Sequence, residues 1–500
     1  ASDVYKRQEI YMRRTDVKKT SIKINFIMNA LLTMSSFIFP LITFPYVSRI
    51  LSPEGTGKVS FANSVIAYFA LFAQLGIPTY GIRACAKVRD NKEELSRTVQ
   101  EIFIINMVMT VIIYIAFGIT LVYVPRLQTE RPLFLIMSTT LLFNAVGLDW
   151  LYRGLEKYTY ITVRSILFKF IALLAMFALI HQKSDYVIYG GISIFASSAS
   201  NICNLVNVHQ YIQIRPVGKY QFRRHLKPVM IFFAMSCATT IYTNLDTVML
   251  GFIKTDIDVG YYNAAVKIKS VLLGIVTSLG TVLLPRASYY IEHHEMEEFR
   301  RITKKAINFV FLIAVPLTCY FILYAKEGIL FLSGNEYMPA VLPMQIIMPT
   351  IIFIGLTNIM GIQMLVPMGL EKVVLYSEIA GAIVDLILNT LLIPRLVSAG
   401  AATGTLVAEC VVWIVQFAAL RKEVTPAYKN VRYGKVLLAT VIGVASSGWV
   451  KTLEMGNFAT LLMSAVLFFG GYVIVLTVLQ EPLVWEIENQ VFTKLKGMIK

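Results

Sequence analysis

The sequence predicts an all-α polytopic membrane protein of about fourteen transmembrane helices, arranged as two six-helix lobes in a parallel pseudo-two-fold repeat plus two extra helices. Three observations carry that prediction. Composition lies far outside the soluble range, with 56% hydrophobic and 15% charged residues and a mean hydropathy of +0.65. Apolar stretches recur along the chain, and crossing a hydrocarbon core of about 30 Å takes roughly 20 residues. The Lys and Arg between these stretches alternate between many and few.

The expected spans are 24–50, 58–79, 101–124, 132–153, 160–181, 187–208, 228–252, 260–285, 306–325, 341–367, 373–393, 399–420, 435–450 and 457–480. Their sidedness follows from the connections. Arg83, Lys87, Arg89, Lys92 and Arg97 crowd one loop, and Arg215, Lys219, Arg223, Arg224 and Lys227 crowd another. The 286–305 and 421–435 loops are equally basic, as is the stretch before the first span, which holds Arg13, Arg14, Lys18, Lys19 and Lys23. Intervening connections carry one or two cations each, such as Arg126 and Arg131, Lys183, Lys254, Lys326, Arg395 and Lys451. Basic loops stay in the cytoplasm, so both termini are expected there. Residues 1–11 read as a non-native scar, with Met12 as the expected start.

The repeat rests on Gly154, Leu155, Glu156 and Lys157 after the fourth span and Gly369, Leu370, Glu371 and Lys372 after the tenth. A weaker echo links Gly57 and Asn63 to Gly260 and Asn263. The offset of six spans is even, so both halves enter the membrane in the same direction. The expected division is 12–225 for one lobe, 226–425 for the second, and 426–500 for the extra helices and a cytoplasmic tail.

Charges within spans are costly, by roughly 2.5–3.5 kcal/mol each on insertion scales, and mark function or pairing. Arg164 and Lys169 in the fifth span, Lys267 and Lys269 in the eighth and Arg49 closing the first form a candidate cationic cavity. Snorkelling to the interface is the other reading of Arg164, Lys169 and Lys269. Asp149 and Arg153 share a helix face as an i, i+4 pair and read as a clamp near the interface. Asp246 and Lys267 lie at similar depth on consecutive helices, where they could pair. Glu378, Asp385 and Glu409 suit either a coupling-cation site or polar helix packing. Pro40 and Pro45 in the first span are consistent with bending or with a static kink; Pro78, Pro316, Pro343 and Pro349 add further kinks.

Other chemistries find no support. The net charge of +16 sits almost wholly on one side of the membrane, as topology signal and contact with anionic lipid, rather than as a nucleic-acid surface. Five scattered cysteines have no metal spacing. His293 and His294, among Glu292, Glu295, Glu297 and Glu298, read as part of a solvated amphipathic helix. No nucleophile elbow, P-loop or dinucleotide fingerprint occurs, so neither an enzyme nor a cofactor is expected.

Three motifs carry a family resemblance. Residues 39–49 (FPLITFPYVSR) with Leu51 and Gly57, residues 148–156 (LDWLYRGLE), and residues 246–251 (DTVMLG) followed by 260–265 (GYYNAA) resemble bacterial polysaccharide repeat-unit flippases. These belong to the larger multidrug/oligosaccharidyl-lipid/polysaccharide exporter superfamily. The resemblance covers essentially everything from Met12 onward. It implies two lobes around a V-shaped cavity in the bacterial inner membrane. It also implies movement of an undecaprenyl-pyrophosphate-linked oligosaccharide from the inner to the outer leaflet by alternating access. An H⁺ or Na⁺ as coupling ion, membrane lipid and a polysaccharide polymerase are the further partners it suggests. The alternative of the same fold is a cation-coupled multidrug antiporter. A channel or receptor-like scaffold is a third class. A drug exporter calls for an acidic, aromatic cation site, whereas positive charge in the first lobe favours an anionic substrate.

Overall fold

The computed structural model describes residues 22–485 and Glu488. The stretch 1–11, Met12 and the basic residues 13–19 lie outside the described residues. Within them the backbone is almost wholly helical, without a strand. The helices are α1 (Ile22–Gln74), α2 (Ile77–Val88), α3 (Lys92–Tyr123), α4 (Arg131–Val146), α5 (Asp149–Gly154), α6 (Tyr158–Leu179), α7 (Tyr186–Ile194), α8 (Asn201–Asn207) and α9 (Arg223–Ile253). They continue as α10 (Asp256–Glu292), α11 (Met296–Leu323), α12 (Ala325–Ser333), α13 (Val341–Ile347), α14 (Thr350–Thr357), α15 (Glu371–Ala419), α16 (Arg421–Asn430), α17 (Tyr433–Gly448) and α18 (Asn457–Val478).

Every expected span falls on helical chain, but the boundaries differ. By length and hydropathy, eight described helices can cross a membrane, or nine if one bent pair counts as one span. The shortfall against the expected spans has physical causes. The first two spans run together as α1 across a one-residue break at Ser52 (φ 61°, ψ 175°), and the eleventh and twelfth run together as α15 across Val397 (φ 54°, ψ −128°). Elsewhere, single spans are interrupted. Leu148 in left-handed backbone (φ 47°) divides α4 from α5, and a π-turn at Phe195–Ala199 separates α7 from α8. Chain bends by 45° between Asn335–Ile347 and Thr350–Leu365, at Pro349, which cannot donate a helical hydrogen bond. The helix stays regular through Pro40 and Pro45; its sharp break comes at Ser52, where Pro53 disfavours helical backbone in the preceding residue. His293 and His294 lie exposed in the turn after α10 rather than on a helix.

Contacts between connections gather the basic loops at one end of the molecule. Arg224 reaches Glu94 at 2.6 Å, Arg89 reaches Glu156 at 3.0 Å, and Arg300 reaches Glu423 at 3.2 Å, all among the basic loops. At the opposite end, Arg126 pairs with Asp256, and Lys183 with Glu336 at 3.2 Å. We call these the Arg224 end and the Ser52 end. Between them a belt of large apolar side chains, including Val163, Leu167, Phe170 and Leu174, stays exposed, as lipid contact requires.

The two halves share turn spacing. Ser52 (φ 61°) and Thr255 (φ −105°) stand at helix breaks of different backbone geometry, and each is followed five residues later by a glycine. Thr255 and Asp258 form a reciprocal capping box at the start of α10. Gly57 and Gly260 then meet: a Cβ on Gly57 would stand 1.7 Å from the Asp256 carbonyl oxygen, and one on Gly260 2.1 Å from that of Pro53. The other repeat needs a register correction. Left-handed residues cap the turns at Glu156 (φ 56°) and Gly369 (φ 73°). Matching backbone bonds follow, Lys157 N to Tyr152 O at 2.9 Å and Leu370 N to Leu365 O at 2.8 Å. Glu156 is therefore the counterpart of Gly369, two residues out of step with the tetrapeptide match.

Candidate functional site

A cavity of 690 Å³ opens between α1, the α4–α5 junction, α6, α7 and α10. Arg153, Arg164, Lys169 and Lys267 line it together with one carboxylate, Asp149, an excess of three positive charges. Asp149 is held from both sides, by Arg153 Nε at 2.6 Å and an Arg164 terminal nitrogen at 3.2 Å. Arg164 also donates to the Ser200 carbonyl oxygen at 2.6 Å, which fixes its buried guanidinium against α8. The expected Asp149–Arg153 clamp is thus a three-membered group, and it faces the cavity.

The lysines differ from it. Lys169 Nζ donates to Ser35 Oγ at 2.8 Å and Ser36 Oγ at 2.9 Å on α1. Lys267 Nζ lies 5.7 Å from the Phe44 ring centroid. Among the described residues neither pairs with a carboxylate, which leaves their charge to act on a ligand. Gln74, Asn144, Ser193 and Ser197 add neutral polar groups to the walls.

Three expectations need correction. Lys269 does not line this cavity. It stands two residues beyond Lys267, about 200° around the helix, and feels Glu409, Asp246 and Asp385 instead. Arg49 does not line it either. Its guanidinium donates to the Pro45 carbonyl at 2.5 Å and to that of Phe331, tying α1 to α12 at the Ser52 end. The third concerns Asp246 and Lys267, which form no ion pair. Asp246 turns toward α15, accepting from Asn389 Nδ2 at 2.7 Å, Thr405 Oγ1 at 2.8 Å and the Tyr262 hydroxyl. Similar depth places two residues in one layer; it does not aim them at each other.

That turn of Asp246 builds a second polar cluster. Asp385 is buried beside it on α15, and Asp246 is its strongest charged neighbour. Among the described residues, neither oxygen of Asp385, nor Asn389 Oδ1, has a well-formed hydrogen-bond donor. Gly404 leaves the space: a Cβ there would stand 2.5 Å from Asn389 Oδ1 and 2.8 Å from Asp385 Oδ1. Glu409 is buried further along α15, while Glu378 accepts from Thr239 Oγ1 at 3.1 Å nearer the surface. Among the described residues, no three His, Cys, Asp or Glu are grouped to hold a metal ion. The oxygen set here is two carboxylates with amide and hydroxyl partners, the chemistry of a proton or a hard monovalent cation. Asn389 and Thr405 were not singled out from sequence; Asp385 and Asn389 at i, i+4 inside an apolar span were the available signal.

Comparison with known proteins agrees with this architecture. Residues 22–291 match the family profile described as "Polysaccharide biosynthesis protein", and 232–391 match "MatE". An Escherichia coli (strain K12) protein named "Putative O-antigen transporter" is 27% identical over 399 residues, 79% of this chain and 96% of that protein. A Shigella dysenteriae protein of the same name is 26% identical over 369 residues, 73% of this chain and 91% of the relative. The solved structure "Lipid II flippase MurJ, inward closed conformation" shares the fold, with a TM-score of 0.73 at 13% identity over 92% of this chain and all (100%) of that one. An inward-facing multidrug resistance MATE family transporter of the MOP superfamily aligns with a TM-score of 0.59 at 14% identity, covering 81% of this chain and 99% of that one. With a helical multi-pass architecture and a family profile covering more than half its length, this chain belongs to the polysaccharide biosynthesis protein family.

Proposed function

We propose that the chain is a flippase that moves undecaprenyl-pyrophosphate-linked oligosaccharide repeat units from the inner to the outer leaflet of the bacterial inner membrane. The observation that carries this reading is the cavity lined by Arg153, Arg164, Lys169 and Lys267 against Asp149 alone. A cleft with three excess positive charges suits a pyrophosphate, because charges in a water-poor site act far more strongly than in bulk water. The polar wall groups suit the glycan, and the lipid tail stays in the bilayer. Lobes of 12–225 and 226–425, with 426–500 appended, would rock about the cavity in alternating access, across fourteen spans with both termini cytoplasmic. A polysaccharide polymerase is the expected downstream partner.

Coupling is assigned to Asp246 and Asp385. Two buried carboxylates this close need a cation between or upon them, and H⁺ or Na⁺ would fill that role. That acidic pair is also what favours the second reading, a cation-coupled drug antiporter. The cavity's charge argues against a cationic drug there. Reconstituted protein should move fluorescent lipid-linked glycan across a vesicle bilayer and leave a cationic dye in place. Transport of the dye alone would replace the flippase reading with the antiporter.

A further inference from the structure

A separate pocket of 500 Å³ lies at the Arg224 end between α2 and α9, lined by Arg83, Lys87, Arg224, Lys227, Ile231 and Phe232 among others. Its cations are not all committed. Arg224 is bound to Glu94 at 2.6 Å and to Glu101 at 2.8 Å, and Glu101 also meets His225 at 2.6 Å. Two nearby carboxylates are occupied, Glu93 by Arg97 and Glu156 by Arg89, while Asp90, three residues beyond Lys87, is exposed and forms no ion pair among the described residues. Arg83, Lys87 and Lys227 form no ion pair among the described residues and are exposed.

The pocket is closed off from the interior. Gly76 (φ 71°) packs so tightly that a Cβ there would lie 2.5 Å from the backbone of Phe232 and Phe233. Phe72 and Phe233 close the same seam, with ring centroids 5.5 Å apart. From Lys227 outward, α9 presents Met230, Ile231 and Met235, which are 53%, 55% and 44% exposed. A cationic pocket at a helix end thus continues into an apolar stripe running toward the membrane interior. Lys and Arg at that depth meet lipid phosphates, and the apolar stripe meets acyl chain.

We propose that this pocket is a second lipid site, holding a phosphate head group between Arg83, Lys87 and Lys227 with its acyl chain along Met230 and Ile231. It requires membrane insertion only and does not depend on what the central cavity carries. Two sources supply the chemistry: bulk anionic phospholipid and a diphosphate lipid.

The test uses full-length protein in mixed micelles, titrated with phosphatidylglycerol, phosphatidylcholine or undecaprenyl diphosphate, with bound lipid read by native mass spectrometry. Three interfacial cations predict a preference for phosphatidylglycerol over phosphatidylcholine of about a hundredfold. R83Q/K87Q/K227Q should abolish that preference, whereas K169Q/K267Q, altered only in the central cavity, should keep it. All three substituted side chains are exposed, so folding should survive; an unchanged melting temperature confirms it. Displacement of phosphatidylglycerol by equimolar undecaprenyl diphosphate from the K169Q/K267Q protein would make the diphosphate lipid the occupant. Retention would make it bulk phospholipid. Equal phosphatidylglycerol affinity in the wild type and the triple variant would overturn the proposal.

Discussion

Gly57 and Gly260 lie back to back where α1 and α10 cross, Gly57 against the Asp256 carbonyl and Gly260 against the Pro53 carbonyl. Five residues before them, Ser52 and Thr255 stand at the breaks that precede these segments, so one contact joins the two halves there. No side chain larger than hydrogen fits either position without moving backbone.

Gly57→Ala should therefore destabilise the Ser52 end. Overpacking in a well-filled site costs about 1–3 kcal/mol, and here the obstacle is backbone rather than a rotatable side chain. We expect a fall of several degrees in the melting temperature of purified protein. Gly118→Ala, where a Cβ would meet nothing within 4 Å, should leave it unchanged. Equal melting temperatures for the two variants would mean that the glycine crossing does not hold the halves together.

Removing cavity charge should slow transport without lowering protein level. Among the described residues Lys169 and Lys267 are each without a carboxylate partner, so replacing either by Gln leaves no stranded charge. Each substitution should reduce lipid-linked glycan transport at least about tenfold, about 1.4 kcal/mol of lost interaction. Lys269→Gln should act differently, because its charged neighbours are Glu409, Asp246 and Asp385 rather than the cavity. Full transport by K169Q/K267Q in vesicles would remove the lysines from substrate handling.

Asp246 and Lys267 should behave as independent sites. Their alanine variants share no partner, and independent sites add to within about 0.3–0.5 kcal/mol. Asp246→Ala and Asn389→Ala, by contrast, remove two ends of a bond of 2.7 Å and should show a coupling of about 0.5–3 kcal/mol. Thermal unfolding of both sets of single and double variants decides this. Strong coupling in the first cycle would restore an ion pair that the geometry lacks.

The Asp246–Asp385 cluster should respond to cations. Two adjacent buried carboxylates repel unless a proton or metal ion neutralises one. Melting temperature should rise with Na⁺ over K⁺ at alkaline pH if Na⁺ fills the site, or rise on acidification alone if a proton does. Asp385→Asn should remove whichever response the wild type shows. An identical profile for wild type and Asp385→Asn would take the cluster out of coupling.

Sidedness can be checked chemically. Single cysteines placed in a cysteine-free chain within 209–227 should resist an impermeant thiol reagent in intact cells and react after lysis. Labelling in intact cells would invert the orientation drawn from the basic loops.

Much was legible along the chain because hydropathy and loop charge act locally, segment by segment. Each expected span coincides with helix, and the basic connections contact one another. A charge such as Lys169 or Asp385 inside an apolar run announces itself, since few residues tolerate that position without a partner or a cavity. What the chain alone determined was therefore composition, depth and which connections share an end.

Azimuth and partnership came only with tertiary structure. Lys267 and Lys269 are two residues apart and similar in depth, yet one lines a cationic cavity and the other feels an acidic cluster. Arg49 left the cavity because neighbouring α12 offered its helix-end carbonyl. Asp246 turned from Lys267 because α15 supplied Asn389 and Thr405. Rotation about a helix axis is fixed by what packs beside it, and those neighbours lie more than a hundred residues away in the chain. Local propensity sets depth, and only the assembled helices set direction.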